Sequence, residues 1–224
     1  MAATLVQSAT GNTPGTTESS LDVALSSSVT SGNTIVVCIA NNESLSRTFT
    51  VSDSQSNSYT LRKRDVLNGR VVEIWSAETA KSGSTTITVT PSAATHMVCA
   101  AAEITASTIE SSDSFQNPSS GTFYFAEASG FSPPADTIVF SVGTFNASPG
   151  TITGNVDYTT LVSSSANPIG HIAYRETSSE LTNERGEITA QSTLRNGPGA
   201  IAAFAPVAGG SSPVANIIQA HQGR

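Results

Sequence analysis

Short apolar stretches punctuated by Gly, Asn, Ser and Pro run the length of the chain: TLVQSA, SLDVALS, NTIVVCIA, RTFTVSD, SYTLRKR, RVVEIWSA, TTITVTP, HMVCAAAEIT, TFYFAEA, DTIVFSVGTF, DYTTLVS, GHIAYRET, GEITAQSTL and GAIAAFAPV. Their centres recur roughly every 8 to 15 residues, which is the spacing of an antiparallel sandwich or barrel. From Thr86 to Thr90, hydroxyl and aliphatic side chains alternate, the period-2 pattern of a strand with one wet face. Ile35 to Ala40 and Met97 to Ala102 are apolar at both parities and are expected to be central strands. No long segment keeps a 3.6-residue period, and β-branched residues dominate the apolar positions, which favours strands.

The fold expected is all-β, an antiparallel β-sandwich of jelly-roll-like topology, with a short C-terminal helix or extended tail. Residues 1–19 read as an N-terminal strand or arm, 20–206 as the sandwich domain, and 207–224 as a hinge and short amphipathic assembly tail. In the tail, AGGSSP resembles a flexible linker. Ser212 can cap a helix, Pro213 can open it, Val214, Ile217 and Ile218 would share one face, and Gly223 would lie just past its end. So short a helix needs a surface to rest on. That surface is either its own sandwich or a neighbouring subunit docked through Val214, Ile217 and Ile218; the alternative is a disordered tail.

At 224 residues the chain is long enough for one substantial core. Charged residues make up only 12% of it, so hydroxyls must supply much of the surface, while regular apolar runs argue against disorder. A net charge of −7, with Lys63 and Lys81 the only lysines, disfavours nucleic acid and anionic membranes. The one basic cluster, Arg62, Lys63 and Arg64, reads as solvated strand positions. There is no run of about 18 apolar residues to span a bilayer. Nor do the first residues carry a secretory pattern, so no signal is expected if Met1 is the true start. Cys38 and Cys99 fall in apolar strands and are read as buried free thiols, a single bridge being the other state; either is structural.

Candidate chemistry is sparse. In VSDSQSNSYTLRKR, the oxygens of Asp53, Gln55 and Asn57 could form a weak ion site, but one carboxylate is too few for calcium and the segment reads as a turn between two strands. His96, His171 and His221 lie in strands or the tail without a nucleophile elbow, and are read as structural. Glu73 and Glu78 flank Trp75, with Glu73 and Trp75 on one strand face, but the central Asp of the sandwich glucanase pattern is missing. Neither cysteine has a zinc-type partner, and no phosphate-binding glycine loop occurs. Asn42 and Asn146 begin N-x-[ST] sequons, read as coincidental in so Ser-rich a chain. No catalytic residue, metal or cofactor is expected.

The succession SSSVTSGNTIVVCIA, TFTVSDSQSNSYTLRKR, VEIWSAETAKSGSTTITVT and AAEITAS resembles a widespread, loosely defined β-sandwich module of phage virion structural proteins and bacterial surface proteins. In that module a V-S-D strand end leads through a G-N turn to a Tyr-Thr strand; here Ser56 stands in the place of the usual Gly. The resemblance spans residues 20 to 206 and implies an architectural or adhesive role with no catalytic set. With the acidic balance, it leads us to expect a non-enzymatic virion structural protein. The specific expectation is a capsid decoration or cement protein on the outer shell, a homo-oligomer bound to the major capsid protein or other virion subunits. Its grip would come from β-edge pairing, hydroxyl hydrogen bonds and tail docking. The alternative is a glycan-binding or adhesive module of a tail fibre or bacterial cell surface, with Tyr59, Trp75 and Tyr174 stacking on sugar.

Overall fold

The computed structural model describes residues 1–117, 122–127, 131–146, 152–154, 157–165, 167–190 and 196–207, and among them every regular element is a strand. In chain order these are β1 (Leu5–Asn12), β2 (Leu21–Ala24), β3 (Thr34–Asn41), β4 (Phe49–Asp53), β5 (Thr60–Leu67), β6 (Arg70–Ala77), β7 (Thr86–Pro91) and β8 (Val98–Ile104). They continue with β9 (Ser107–Asn117), β10 (Phe123–Tyr124), β11 (Ile138–Gly143), β12 (Ile152–Gly154), β13 (Thr159–Ser164), β14 (Gly170–Glu176), β15 (Glu187–Ala190) and β16 (Gly197–Pro206). The expected assembly tail, with Val214, Ile217 and Ile218, lies outside the described residues.

All strand pairs are antiparallel. The first eight strands form a five-stranded sheet, β1-β8-β3-β6-β5, covered on its outer face by a three-stranded sheet, β2-β7-β4. This is the jelly-roll arrangement, with the fifth strand moved from β4 to the side of β6. The last eight strands repeat it: β9-β16-β11-β14-β13 is covered by β10-β15-β12, the same two orders with eight added to every number. The central strands are flanked alike as well: β3 lies between β8 and β6, and β11 between β16 and β14. The segment read as one sandwich is thus two eight-stranded sandwiches in tandem, and the N-terminal stretch is an integral edge strand of the first.

The halves pack back to back through their five-stranded sheets, with β5 against β9 and β1 against β13. First strand meets fifth strand at both ends, as a two-fold relation between the halves requires. Between the sheets lies one shared core in which both halves mix small and large residues: Cys38, Ala40, Ala100 and Ala102 with Ile74 and Ile104 from the first, Ala200 and Ala202 with Phe140 and Phe204 from the second. Large-against-small interdigitation brings interior packing to close density. Gly170 lies at a close approach of the halves, since a Cβ there would stand 3.0 Å from the Ala40 Cβ and 3.2 Å from that of Val98.

β3 and β8 are buried on both faces, as expected of their uninterrupted apolar runs: Val36, Cys38 and Ala40 face the second half, whereas Ile35, Val37 and Ile39 face the small sheet. β7 keeps its alternation, burying Ile87 and Val89 and turning its threonines outward. Cys38 and Cys99 are free and buried in different cores, one on each face of the sheet. The four edge strands of the large sheets, β1, β5, β9 and β13, each contain a bulge. Bulged edges twist away from further strand pairing.

Candidate functional site

The segment around Asp53 is a turn, and Asp53 organises it. One carboxylate oxygen accepts the backbone N–H groups of Gln55 and Asn57, each at 3.0 Å; the other accepts the Asn57 amide and the Tyr59 hydroxyl, each at 2.8 Å. Burial pushes this carboxyl up, but the donors from Asn57, Tyr59 and Gln55 outweigh it and hold it below its ordinary value. Every acceptor position is thus turned inward on the loop. Ser56 adopts φ 56°, the left-handed region, and this explains why glycine suits the position: a Cβ is strained there.

Glu73 and Trp75 do share a strand face. The indole Nε1–H donates to Glu73 Oε2 at 2.7 Å, and Arg64, on the neighbouring strand, donates to the other oxygen. Burial raises the Glu73 carboxyl above the usual carboxylate range, an effect Trp75 and Arg64 only partly offset. Glu78 is held by a different arginine, Arg62, at 2.8 Å and accepts the Ile109 N–H at 3.0 Å. The two carboxylates considered for hydrolysis are therefore each bound to a separate arginine. Arg62 and Arg64 of the basic cluster serve as partners to these acids rather than as free surface charge.

The three rings named for sugar stacking do not share a surface. Tyr59 and Trp75 lean on the outer core of the first half, with their polar tips committed to Asp53 and Glu73. Tyr174 packs on the core between the halves, its ring 6.2 Å from that of Phe140. His171 is 1% exposed inside the second sandwich, stacked on Phe125 at 6.3 Å, and neither ring nitrogen has a hydrogen-bond partner among the described residues. Burial pushes its pKa down to about 4.

A polar pocket of about 460 Å³ opens at the rim between the halves, lined by Asn42, Glu43, Ser44, Leu45, Arg70, His96 and Asn167. Sequence reasoning had not singled out Arg70 or Asn167. The β3–β4 loop supplies four of these residues. It is held by the β5–β6 hairpin, whose Asn68-Gly69 turn has φ 52° and 81° and packs so closely that a Cβ on Gly69 would overlap the Ser44 carbonyl. Arg70 begins β6, and its guanidinium donates to the Asn146 side chain of the second half. Glu43 lies 3.7 Å from Arg47 and 3.9 Å from His96 Nε2, and the His96 Nδ1 is 3.3 Å from the Thr13 carbonyl oxygen. Among the described residues, no group of three or more His, Cys, Asp or Glu side chains converges to hold a metal ion.

Compared with known proteins, the chain matches no family model, no curated protein and no solved structure. The resemblance drawn from its strand strings rests on those strings.

Proposed function

We propose that the chain is a non-enzymatic structural protein of a phage particle, a decoration or cement protein seated on the outer shell. The observation that carries this reading is the outer face of β2-β7-β4, where Thr50, Ser52, Thr86, Thr88 and Thr90 line up on two adjacent strands beside Asp22, with the Thr88 hydroxyl donating to Asp22 at 2.7 Å. A flat array of hydroxyls on a rigid double sandwich suits many weak hydrogen bonds to a repeating lattice, where symmetry multiplies each contact. The acidic balance fits the side of a shell away from packaged nucleic acid. Bulges on all four large-sheet edges favour docking through this face over edge pairing.

The test is copy number in purified particles, measured by quantitative mass spectrometry against the most abundant shell protein. A ratio at unity or a fixed simple fraction is expected. A ratio of a few per cent would move the chain to a fibre or tail adhesin, and absence from particles would overturn the reading.

A further inference from the structure

All 17 acidic residues of the sequence lie within the described part of the chain. Among the described arginines, Arg47, Arg62, Arg64 and Arg175 each pair with a carboxylate, and Arg185 lies over the Tyr124 ring at 3.7 Å. Arg70 alone has neither. Only 8% of it is exposed, and among the described residues its hydrogen-bonding partner is the Asn146 amide oxygen and its buried Nε has none. A buried guanidinium with no anion is costly, and burial lowers its pKa as expected. The exposed remainder of Arg70 faces the rim pocket. Asn42, another lining residue, likewise keeps a buried side-chain oxygen without a partner among the described residues, so the wall of this cavity is polar beneath its surface as well as at it. A polar cavity between two sandwiches is a usual place for a ligand site.

The rest of the lining fixes the chemistry. Asn42, Ser44, His96 and Asn167 offer both donors and acceptors, Glu43 offers a carboxylate acceptor, and Leu45, 59% exposed, offers an apolar wall. A phosphate dianion would meet one cation and be repelled by Glu43 more strongly than a singly charged carboxylate. A ring with several hydroxyls and a single carboxylate matches every group: the carboxylate at Arg70, hydroxyls donating to Glu43 and the amides, and the ring face on Leu45.

We propose that this rim pocket binds an acidic sugar residue, of the uronic or sialic class, within a glycan. For its ligand class the proposal rests on the glycan-binding alternative, which it moves from Tyr59, Trp75 and Tyr174 to Arg70; it stands whether or not the chain belongs to a particle.

The experiment is titration of the isotope-labelled full chain with glucuronic acid and N-acetylneuraminic acid, read in ¹H–¹⁵N spectra. Glucose, N-acetylglucosamine, acetate and inorganic phosphate serve as competitors. An acidic sugar should shift the Asn42 and His96 signals saturably and leave the Trp75 indole unmoved. Arg70→Gln should weaken binding roughly tenfold or more, the loss expected for one charge-assisted pair. Asn167→Asp, on an exposed residue, should weaken it severalfold by repulsion and decides the matter if Arg70→Gln does not fold. Neutral sugars binding as tightly, acetate or phosphate competing on equal terms, unaltered binding in the folded variants, or no saturable shift would each overturn the proposal. None of these results depends on particle copy number, so failure here is distinct from failure of the decoration reading.

Discussion

His171 makes stability depend on acid in a way that can be computed. The imidazole is enclosed by the second sandwich, and burial alone accounts for its depressed value, so the folded protein holds it neutral while the unfolded chain protonates it normally. A base depressed in the folded state stabilises nothing extra above its unfolded value. Its penalty grows as pH falls below that value, because the unfolded chain then binds more protons. Taking about 6.5 unfolded and about 4 folded, linkage gives a loss of about 2 kcal/mol at pH 5 and about 3 kcal/mol at pH 4, relative to pH 7. His171→Leu removes the titration and two unpartnered ring nitrogens, so the variant should match or exceed the native protein at pH 7 and lead by about 2 kcal/mol more at pH 5. Urea denaturation by far-UV circular dichroism, with fluorescence of the single Trp75 as a second probe, measures both. Comparing native and variant proteins cancels the carboxylates common to both. A native-to-variant gap that stays constant between pH 7 and pH 5 would refute the assignment of a buried neutral imidazole.

Other outcomes follow from the same packing. Asp53→Ala strips the turn of its acceptor and should lower stability by about 1–3 kcal/mol, while millimolar calcium leaves the melting temperature of the native protein unchanged; a calcium-dependent rise would restore the ion-site reading. Gly170→Ala places a methyl between the halves, 3.0 Å from Ala40, and should destabilise by about 1–3 kcal/mol in urea titrations. Phe140→Ala should cost about 3–5 kcal/mol and, because the halves share that core, should shift one cooperative calorimetric transition rather than split it in two.

The parts of this fold that could be read from sequence are those where burial follows local pattern. β3 and β8 announced themselves by unbroken apolar runs and β7 by its alternating threonines. β9 and β12 did not. β9 is an edge strand reading STIESSDSFQN, paired on one side only with β16, so its long hydrogen-bonded ladder needs few apolar side chains. The tandem architecture was hidden for a related reason: the repeated feature is strand order, which long-range pairing fixes. The contents differ, with RVVEIWSA in β6 of the first half and GHIAYRE in its counterpart β14. Asn68-Gly69 was a hairpin signal in plain view. Arg70 was not legible as a site, because what distinguishes it is the lack of an acid partner, a property of the whole fold.

Duplication of a sandwich also changes what each edge and face is free to do. A lone sandwich of this order would expose the inner face of its five-stranded sheet; in this chain that face is consumed by the twin, and Phe140 and Phe204 are buried in the core the two halves share. The edges of the large sheets then face each other, β5 with β9 and β1 with β13, and the bulge in each one interrupts the ladder a foreign strand would need. Among the described residues, the two proposed contact surfaces are the hydroxyl face of the outer sheet and the rim where loops of both halves meet. The first is flat, repetitive and weak per contact, which suits a lattice. The second is concave, holds a buried guanidinium with no carboxylate partner among the described residues, and combines groups that neither half supplies alone, since Arg70 comes from one and Asn167 from the other, with Asn146 of that other half accepting from Arg70. Arg70 is held there by the Asn146 amide and no carboxylate, so its charge is a cost to the fold, and that cost is the observation on which the proposed rim site stands.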